Sequence, residues 1–526
     1  MNTFLIEKIL SILLPISSML SFLSIIILLT LNRKSIKKLF KNIKKNTWII
    51  LILIFTINII LNFYLSPRIY TDIGNESDYL ELGKNILYKH RLTVTSTGFD
   101  KDGYFPYHPP GWAFILAVIF LINGVSIPSA FFISTLLTSL SSIMIFILSY
   151  LIFKDEKISL LSSLILSIIP GLIIYSGTIH PNASSLFFIL LTLSSFYIYL
   201  KEKKIISELL FIFSLSFLIQ YRQEFIIFIP FFIFTLFIYR KKIDLKIQKK
   251  HILSITILFL LVSPQLLQAT LKSYLDPILK YDILSLKDKL NGWVSTFYLS
   301  RKYHPPILIL LTFLGITYSF LSKDQNKKEV FTFTIYITLF SIFFLFPEFV
   351  KFRMLLPLYI PISIISSKTI FNISNISKKY KKYFILSILL LLVISFSTYM
   401  GFIKTMGNME KKYIEISSLQ KTMQIKLSKN DPIPKECYVL AGKPEVFGFL
   451  HEKIAILNSE NLKNTENKCL FIMKDWCYYS EDMTCEDTKK VIDNLIENNR
   501  TESFTTFKSK NLEYIFYKIT PKSNTN

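Results

Sequence analysis

Acids, imidazoles and guanidinium groups stand at the edges of long apolar stretches in this chain: Asp72, Glu76, Asp78, His108, His180, Arg222, Glu224, Lys351 and Arg353. Each is of a type that can move a proton or hold an anion. A carboxylate whose solvation is thinned beside a membrane can serve as a general base. An imidazole can relay a proton or join a carboxylate in ligating a cation. A guanidinium fork matches the oxygens of a phosphate. Such groups are costly next to hydrocarbon, which makes them candidates for function.

The densest cluster runs Asp72-Ile-Gly-Asn-Glu76-Ser-Asp78-Tyr79. Its continuation has helical spacing, with Tyr79, Leu82, Ile86 and Leu87 on one face, and predicts a helix lying along the membrane surface. The carboxylates fall at or just before the helix start, where the dipole favours negative charge, so N-capping is the plain alternative to catalysis. Next comes Tyr104-Phe-Pro-Tyr107-His108-Pro-Pro-Gly111-Trp112. Its prolines impose an extended entry, and the aromatic rings suit headgroup depth. His108 can complete a metal site with an upstream carboxylate such as Glu76, or serve as a hydrogen-bonded structural residue. Ser176-Gly-Thr-Ile-His180-Pro-Asn182 joins two apolar stretches, and Tyr221-Arg222-Gln-Glu224 interrupts another. Arg222 and Glu224 can neutralise each other, or Arg222 can bind phosphate; Lys351 and Arg353 pose the same choice.

The elements that must position these groups are apolar. Of 526 residues, 51% are hydrophobic and 15% aromatic, and the mean hydropathy is +0.45. Lys plus Arg number 60 against 36 acids, a net charge of +24. The basic runs Arg33–Lys45, Lys201–Lys204, Arg240–Lys250, Lys323–Lys328 and Lys368–Lys382 fall between apolar stretches. That is a positive-inside pattern beside anionic lipid, and it argues against a nucleic-acid partner. About twelve spans are expected, at 9–31, 47–65, 128–152, 158–176, 182–200, 205–219, 223–239, 252–271, 306–321, 330–346, 354–367 and 384–400. The first reads as a retained signal-anchor-like helix. Gly111–Val125 is too short to cross and is expected to be re-entrant or interfacial.

This topology gathers the ionisable groups on the outer face of a multi-pass protein of the cell membrane. The expected fold class is an all-α polytopic membrane protein carrying a small C-terminal extracytoplasmic α/β domain. Residues 1–46 form an extra N-terminal helix with its basic loop, 47–400 the main membrane domain with a long outer loop at 66–127, and 401–526 the outer domain. A second outer loop covers about Lys272–Pro306. Strand-like runs occur at Cys437–Ala441, Cys469–Met473 and Tyr514–Ile519, with a helical stretch near Cys485–Asn498. All four cysteines, Cys437, Cys469, Cys477 and Cys485, lie in this tail and suggest two disulfides in an oxidising compartment, with three pairings open. Zinc is the rival, but there is no C-x-x-C pair.

The ordered set of motifs resembles the polyprenyl-phosphate-sugar-dependent glycosyltransferases of the C-type membrane fold (GT-C). That group includes the protein O-mannosyltransferases and the lipid A aminoarabinose transferases. The matching features are Asn75-Glu76-Ser-Asp78-Tyr79, His108-Pro-Pro-Gly-Trp112, Pro170…Tyr175…His180-Pro-Asn182, Tyr-Arg222-Gln-Glu224…Pro230 and Lys351-Phe-Arg353-Met-Leu-Leu-Pro, covering roughly 47–370. The resemblance implies transfer of a sugar from a polyprenyl (dolichyl-type) phosphate to a hydroxyl of a protein, glycan or lipid acceptor, with inversion at the anomeric carbon. It implies a first-loop carboxylate as catalytic base. The family often carries an acid four residues before the tyrosine, where this chain has Asn75. The base therefore stays open among Glu76, Asp78 and Asp72, with Glu76 favoured. Arg222, Arg353 and Lys351 would receive the phosphate, and Tyr79, His108, His180, Asn182 and Glu224 would contact substrate. A divalent cation such as Mg²⁺ or Mn²⁺ would have Glu76 and His108 as candidate ligands. The competing class is a transporter or lipid flippase, whose usual internal repeats are not found here. A non-catalytic receptor would leave the acidic loop without a role.

Overall fold

The computed structural model describes residues 3–66, 73–94, 105–240, 249–271, 305–321, 327–345 and 352–376, together with five strands between 438 and 519. Its helices are α1 (Thr3–Leu31), α2 (Arg33–Leu39), α3 (Lys45–Tyr64), α4 (Ile73–Lys89), α5 (Pro110–Asn123), α6 (Ile127–Phe153), α7 (Glu156–Ser167), α8 (Pro170–Ser176), α9 (Pro181–Glu202) and α10 (Ile205–Tyr221). They continue with α11 (Phe228–Tyr239), α12 (Lys249–Leu271), α13 (Pro306–Leu321), α14 (Lys327–Leu345) and α15 (Tyr359–Ile376). Short 3₁₀ turns, Gln223–Ile227 and Phe352–Leu358, precede α11 and α15. Helices lie at the expected positions up to 376, but 158–176 is broken before Pro170, 354–367 begins as a 3₁₀ turn, and 205–219, 223–239 and 306–321 are shorter than a span. The span expected at 384–400, the second loop and the four cysteines lie outside the described residues.

Polarity is distributed as a bilayer demands. On α1 the large apolar side chains Phe4, Leu5, Leu20, Leu23, Ile27 and Leu31 are exposed, while Ser11, Ser17, Ser18 and Ser21 are buried. The same holds on α6, where Ser134, Thr135, Ser139 and Ser142 face inward. Small hydroxyl residues let helices approach closely and send their protons back to their own backbone: Ser139 Oγ donates to Thr135 O at 2.8 Å. Between helices, Asn62 Nδ2 donates to Ser139 Oγ at 2.9 Å and ties α3 to α6. Six of the described helices are long and apolar enough to cross a membrane, or seven if α7 and α8, bent by 59°, count as one broken span. The bend falls just before Pro170, which offers no N–H and disfavours helix in the preceding residue.

The short apolar segment is a helix of 14 residues, about 21 Å long against a hydrocarbon core of about 30 Å. It therefore falls short of a span, and Gly124 (φ +77°) turns the chain into α6. The start of α5 meets the end of α10 at Gly111. A Cβ there would sit 2.7 Å from Tyr221 N and 2.8 Å from Gln220 O. Only a residue without a side chain permits this contact, which brings the segment just after His108 against the backbone just before Arg222.

The strands β1 (Tyr438–Ala441), β2 (Ile454–Ile456), β3 (Leu470–Lys474), β4 (Thr501–Lys508) and β5 (Glu513–Ile519) form one sheet of order β2-β1-β3-β5-β4. β1 runs parallel to β2 and β3, and β5 runs antiparallel to β3 and β4. Three of them coincide with the strand-like runs in the sequence.

Gly111→Ala should lower the melting temperature in detergent markedly, by overpacking worth about 1–3 kcal/mol. Gly124→Ala meets nothing within 4 Å, but φ 77° and ψ 158° lie in a region open essentially to glycine, so it should cost about 1–3 kcal/mol through the backbone alone. An unchanged melting temperature in Gly111→Ala would show that the α5–α10 contact is not tight.

Candidate functional site

α4 delivers two carboxylates with different surroundings. Glu76, in its first turn, is fully buried and accepts a hydrogen bond from the backbone N–H of His180 at 3.1 Å. His180 is the residue from which α9 starts, with Pro181 at its first position. Glu76 thus joins α4 to the mouth of α9, across 104 residues of chain. Asp78 lies half a turn further on, its side chain 19% exposed, 3.0 Å from Nε2 of the buried His108. The His108 ring is held between Tyr107 and Tyr79, with centroids 4.2 and 4.6 Å away.

The loop carrying His108 is gripped from behind. Gln268 of α12 is fully buried, and its Nε2 donates to the carbonyls of Pro106 (2.8 Å) and His108 (3.1 Å). Trp112 Nε1 donates to Ile179 O at 2.6 Å, and Ser184 Oγ lies 2.6 Å from the Tyr221 hydroxyl. These bonds lash the starts of α5 and α9 to the end of α10. Gln268, Trp112 and Ser184 escaped the sequence reading as partners. The signal available was weak: two glutamines, Gln265 and Gln268, in an otherwise apolar span.

Where α10 ends, Arg222 takes an extended conformation and the helix restarts as a 3₁₀ turn. Its Nη2 donates to Glu224 Oε1 at 2.6 Å and its Nε to Oε2 at 3.3 Å, a two-point contact that fixes the guanidinium plane. This is the mutual neutralisation weighed from the sequence. Arg353 is buried in the 3₁₀ turn before α15, and that turn lies against α8, α9 and α14. Asn182, in the first turn of α9, is 1% exposed. Both polar atoms of its carboxamide lack a hydrogen-bond partner among the described residues. Glu76, Asp78, Tyr79, His108, His180, Asn182, Arg222, Glu224 and Arg353 therefore gather around the ends of α9 and α10. Asp72 and Lys351 lie outside the described residues.

The cation expectation meets a different pairing: His108 reaches Asp78, while Glu76 is engaged with the backbone of His180. No group of three or more His, Cys, Asp or Glu side chains that could hold a metal ion forms among the described residues. The described donors do not fit a metal centre.

A bundle of short and broken apolar helices with acids and guanidinium groups at one end is what the resemblance to the C-type membrane glycosyltransferases implied. The sequence signature of the dolichyl-phosphate-mannose-protein mannosyltransferase family matches residues 107–267, which include His108, His180, Arg222 and Glu224. Among solved structures, the fold is similar to ArnT from Cupriavidus metallidurans bound to undecaprenyl phosphate (TM-score 0.56, 9% identity, 90% of this chain and 98% of that one). It is also similar to the Archaeoglobus fulgidus oligosaccharyltransferase solved with Zn and sulfate (TM-score 0.52, 12% identity), covering 76% of this chain but 61% of that one. The same archaeal enzyme, AglB, solved with an inhibitory peptide and a dolichol-phosphate, gives TM-score 0.52 at 10% identity. No curated protein sequence matches. The matched family and both neighbours are glycosyltransferases.

Gln268→Leu strands two buried carbonyls, a loss of about 1–3 kcal/mol each. Amide hydrogen exchange at 105–108 should accelerate while that of α9 stays protected; unchanged exchange would mean that α12 does not hold the His108 loop.

Proposed function

We propose that this chain is a membrane glycosyltransferase that moves a sugar from a polyprenyl phosphate to an acceptor hydroxyl at the outer face of the membrane. The observation that carries the reading is the Asp78–His108 pair, 3.0 Å apart, at the same end of the bundle as Arg222 and Arg353. An acid–imidazole pair can move a proton, and guanidinium groups can hold a phosphate. Glycosyl transfer from a lipid phosphate needs both.

The acceptor O–H gives its proton to a carboxylate, and its oxygen bonds to the anomeric carbon. The bond from that carbon to the phosphate oxygen breaks, and the electron pair leaves with polyprenyl phosphate. Attack opposite the leaving group inverts the anomeric centre. Burial of Glu76 and its bond to His180 N–H suit a residue that positions α4. The partial exposure of Asp78 and its imidazole partner suit the base. This reverses the order favoured from the sequence, and Asp72 stays a further candidate. Arg222 and Arg353, with Lys351 next in the chain, stabilise the departing phosphate. The unmet carboxamide of Asn182, with Tyr79 and His180 beside it, suits sugar hydroxyls. Glu224 holds Arg222 in its plane and is a positioning group in this reading.

The larger assignment follows the same logic. About twelve spans, with residues 1–46 as an added helix and basic loop, leave 401–526 outside the cytosol. The five-stranded sheet would be the core of that outer domain, and its cysteines would pair. The similar Archaeoglobus fulgidus oligosaccharyltransferase was solved with Zn; the transfer proposed for this chain runs on its own side chains.

Membranes containing the full chain should transfer label from a radiolabelled polyprenyl-phosphate sugar. Asp78→Asn should slow turnover by about 10²–10⁴-fold with little change in donor KM, as expected for lost proton transfer. Arg353→Gln should cost about 10²–10³-fold through lost stabilisation of the leaving phosphate. Full activity in both Asp78→Asn and Glu76→Gln would overturn the carboxylate assignment, and solute uptake without transfer would favour a transporter.

A further inference from the structure

The opposite end of the bundle carries a second polar cavity that the transfer chemistry does not use. It has a volume of about 160 Å³ and is lined by Leu151 of α6, Tyr197 and Lys201 of α9, Tyr239 of α11 and Glu329 of α14. α9 contains 22 residues, so roughly 30 Å separates this cavity from the site at His180. Three helices, α6, α9 and α11, end here, and their last carbonyls present the negative ends of three helix dipoles.

The interior of the cavity suits a cation. Tyr197 and Tyr239 are each 5% exposed, with rings edge to face at 6.4 Å. Tyr239 hydrogen-bonds with both Tyr197 and Glu329, and Oε2 of Glu329 is buried with no further partner among the described residues. A buried carboxylate oxygen left over between aromatic rings calls for a small donor, and an ammonium group supplies several N–H bonds at once. Lys201, on the same wall, reaches instead to the carbonyl of Leu151.

The rim has the opposite character. Lys154, Lys203 and Arg240 cap the three helix ends, and Lys327 and Lys328 open α14; all five are exposed. Such a ring attracts a phosphate. Just beyond it, Ile233, Phe234 and Phe237 of α11 are 61, 52 and 59% exposed, an apolar flank against which acyl chains can lie. A ligand with a buried ammonium, a phosphate one ethylene away and hydrocarbon beside it is an aminophospholipid.

We propose that this cavity binds the headgroup of phosphatidylethanolamine, with its ammonium on Glu329 and Tyr197 and its phosphate at the lysine rim. The choice of headgroup follows from the chemistry. Phosphatidylcholine has no N–H to meet Oε2, and phosphatidylglycerol has no cation. The site is independent of glycosyl transfer, so failure of either assignment leaves the other standing.

The test uses the purified full chain in micelles doped with equal amounts of phosphatidylethanolamine, phosphatidylcholine and phosphatidylglycerol, with retained lipid read by native mass spectrometry. The wild type should retain one phosphatidylethanolamine in preference to either competitor by about tenfold, the scale of one charge-assisted hydrogen bond. Glu329→Gln should bring phosphatidylethanolamine down to the level of phosphatidylcholine, whereas Lys201→Met should weaken all three alike. Tyr197→Phe removes a single oxygen and should reduce the preference several-fold, which keeps the test decisive if Glu329→Gln does not fold. No preference in the wild type, or the same preference in folded Glu329→Gln or Tyr197→Phe protein, overturns the proposal.

Discussion

Backbone contact between the start of α5 and the end of α10 is the constraint on which the site depends. At Gly111 the two chains come so near that a methyl group would press on Tyr221 N and Gln220 O. On one side of that contact the chain carries His108; on the other it carries Arg222. Trp112, bonded to the carbonyl of Ile179, brings the mouth of α9 to the same place. Imidazole and guanidinium groups therefore come to one end of the bundle through contacts that neither of them makes.

The bundle around this contact buries serine and threonine among an apolar core, and turns further leucine, isoleucine and phenylalanine side chains outward. In hydrocarbon, apolar burial gives little drive for helices to associate, so close approach and interhelical hydrogen bonds must supply it. Asn62 on Ser139 and Gln268 on the His108 loop are examples at two depths. Identities of 9–12% to proteins of similar fold are compatible with this logic. Many combinations of small residues satisfy it, provided that the approach distances are kept.

The two ends of the bundle are unlike. One gathers acids, imidazoles and paired guanidinium groups within a helical frame; the other exposes lysines at helix C-termini, where the dipoles favour them. That asymmetry is the one the positive-inside pattern of the sequence implies.

Helix positions were legible in the sequence because a run of apolar residues needs no partner to be recognised. The motifs at Glu76, His108, His180, Arg222 and Arg353 were legible for the complementary reason: charge beside hydrocarbon is conspicuous. Partner choice was not legible. His108 takes Asp78 and not Glu76, and Gln268 holds a loop 160 residues away. Glu81 and Asn85, polar residues of α4 outside its apolar face, are buried. Sequence patterns record which residues share a face of one helix. The distances between helices, set here by the absence of a side chain at Gly111, exist only in the assembled bundle, and they decided which of the conspicuous residues meet.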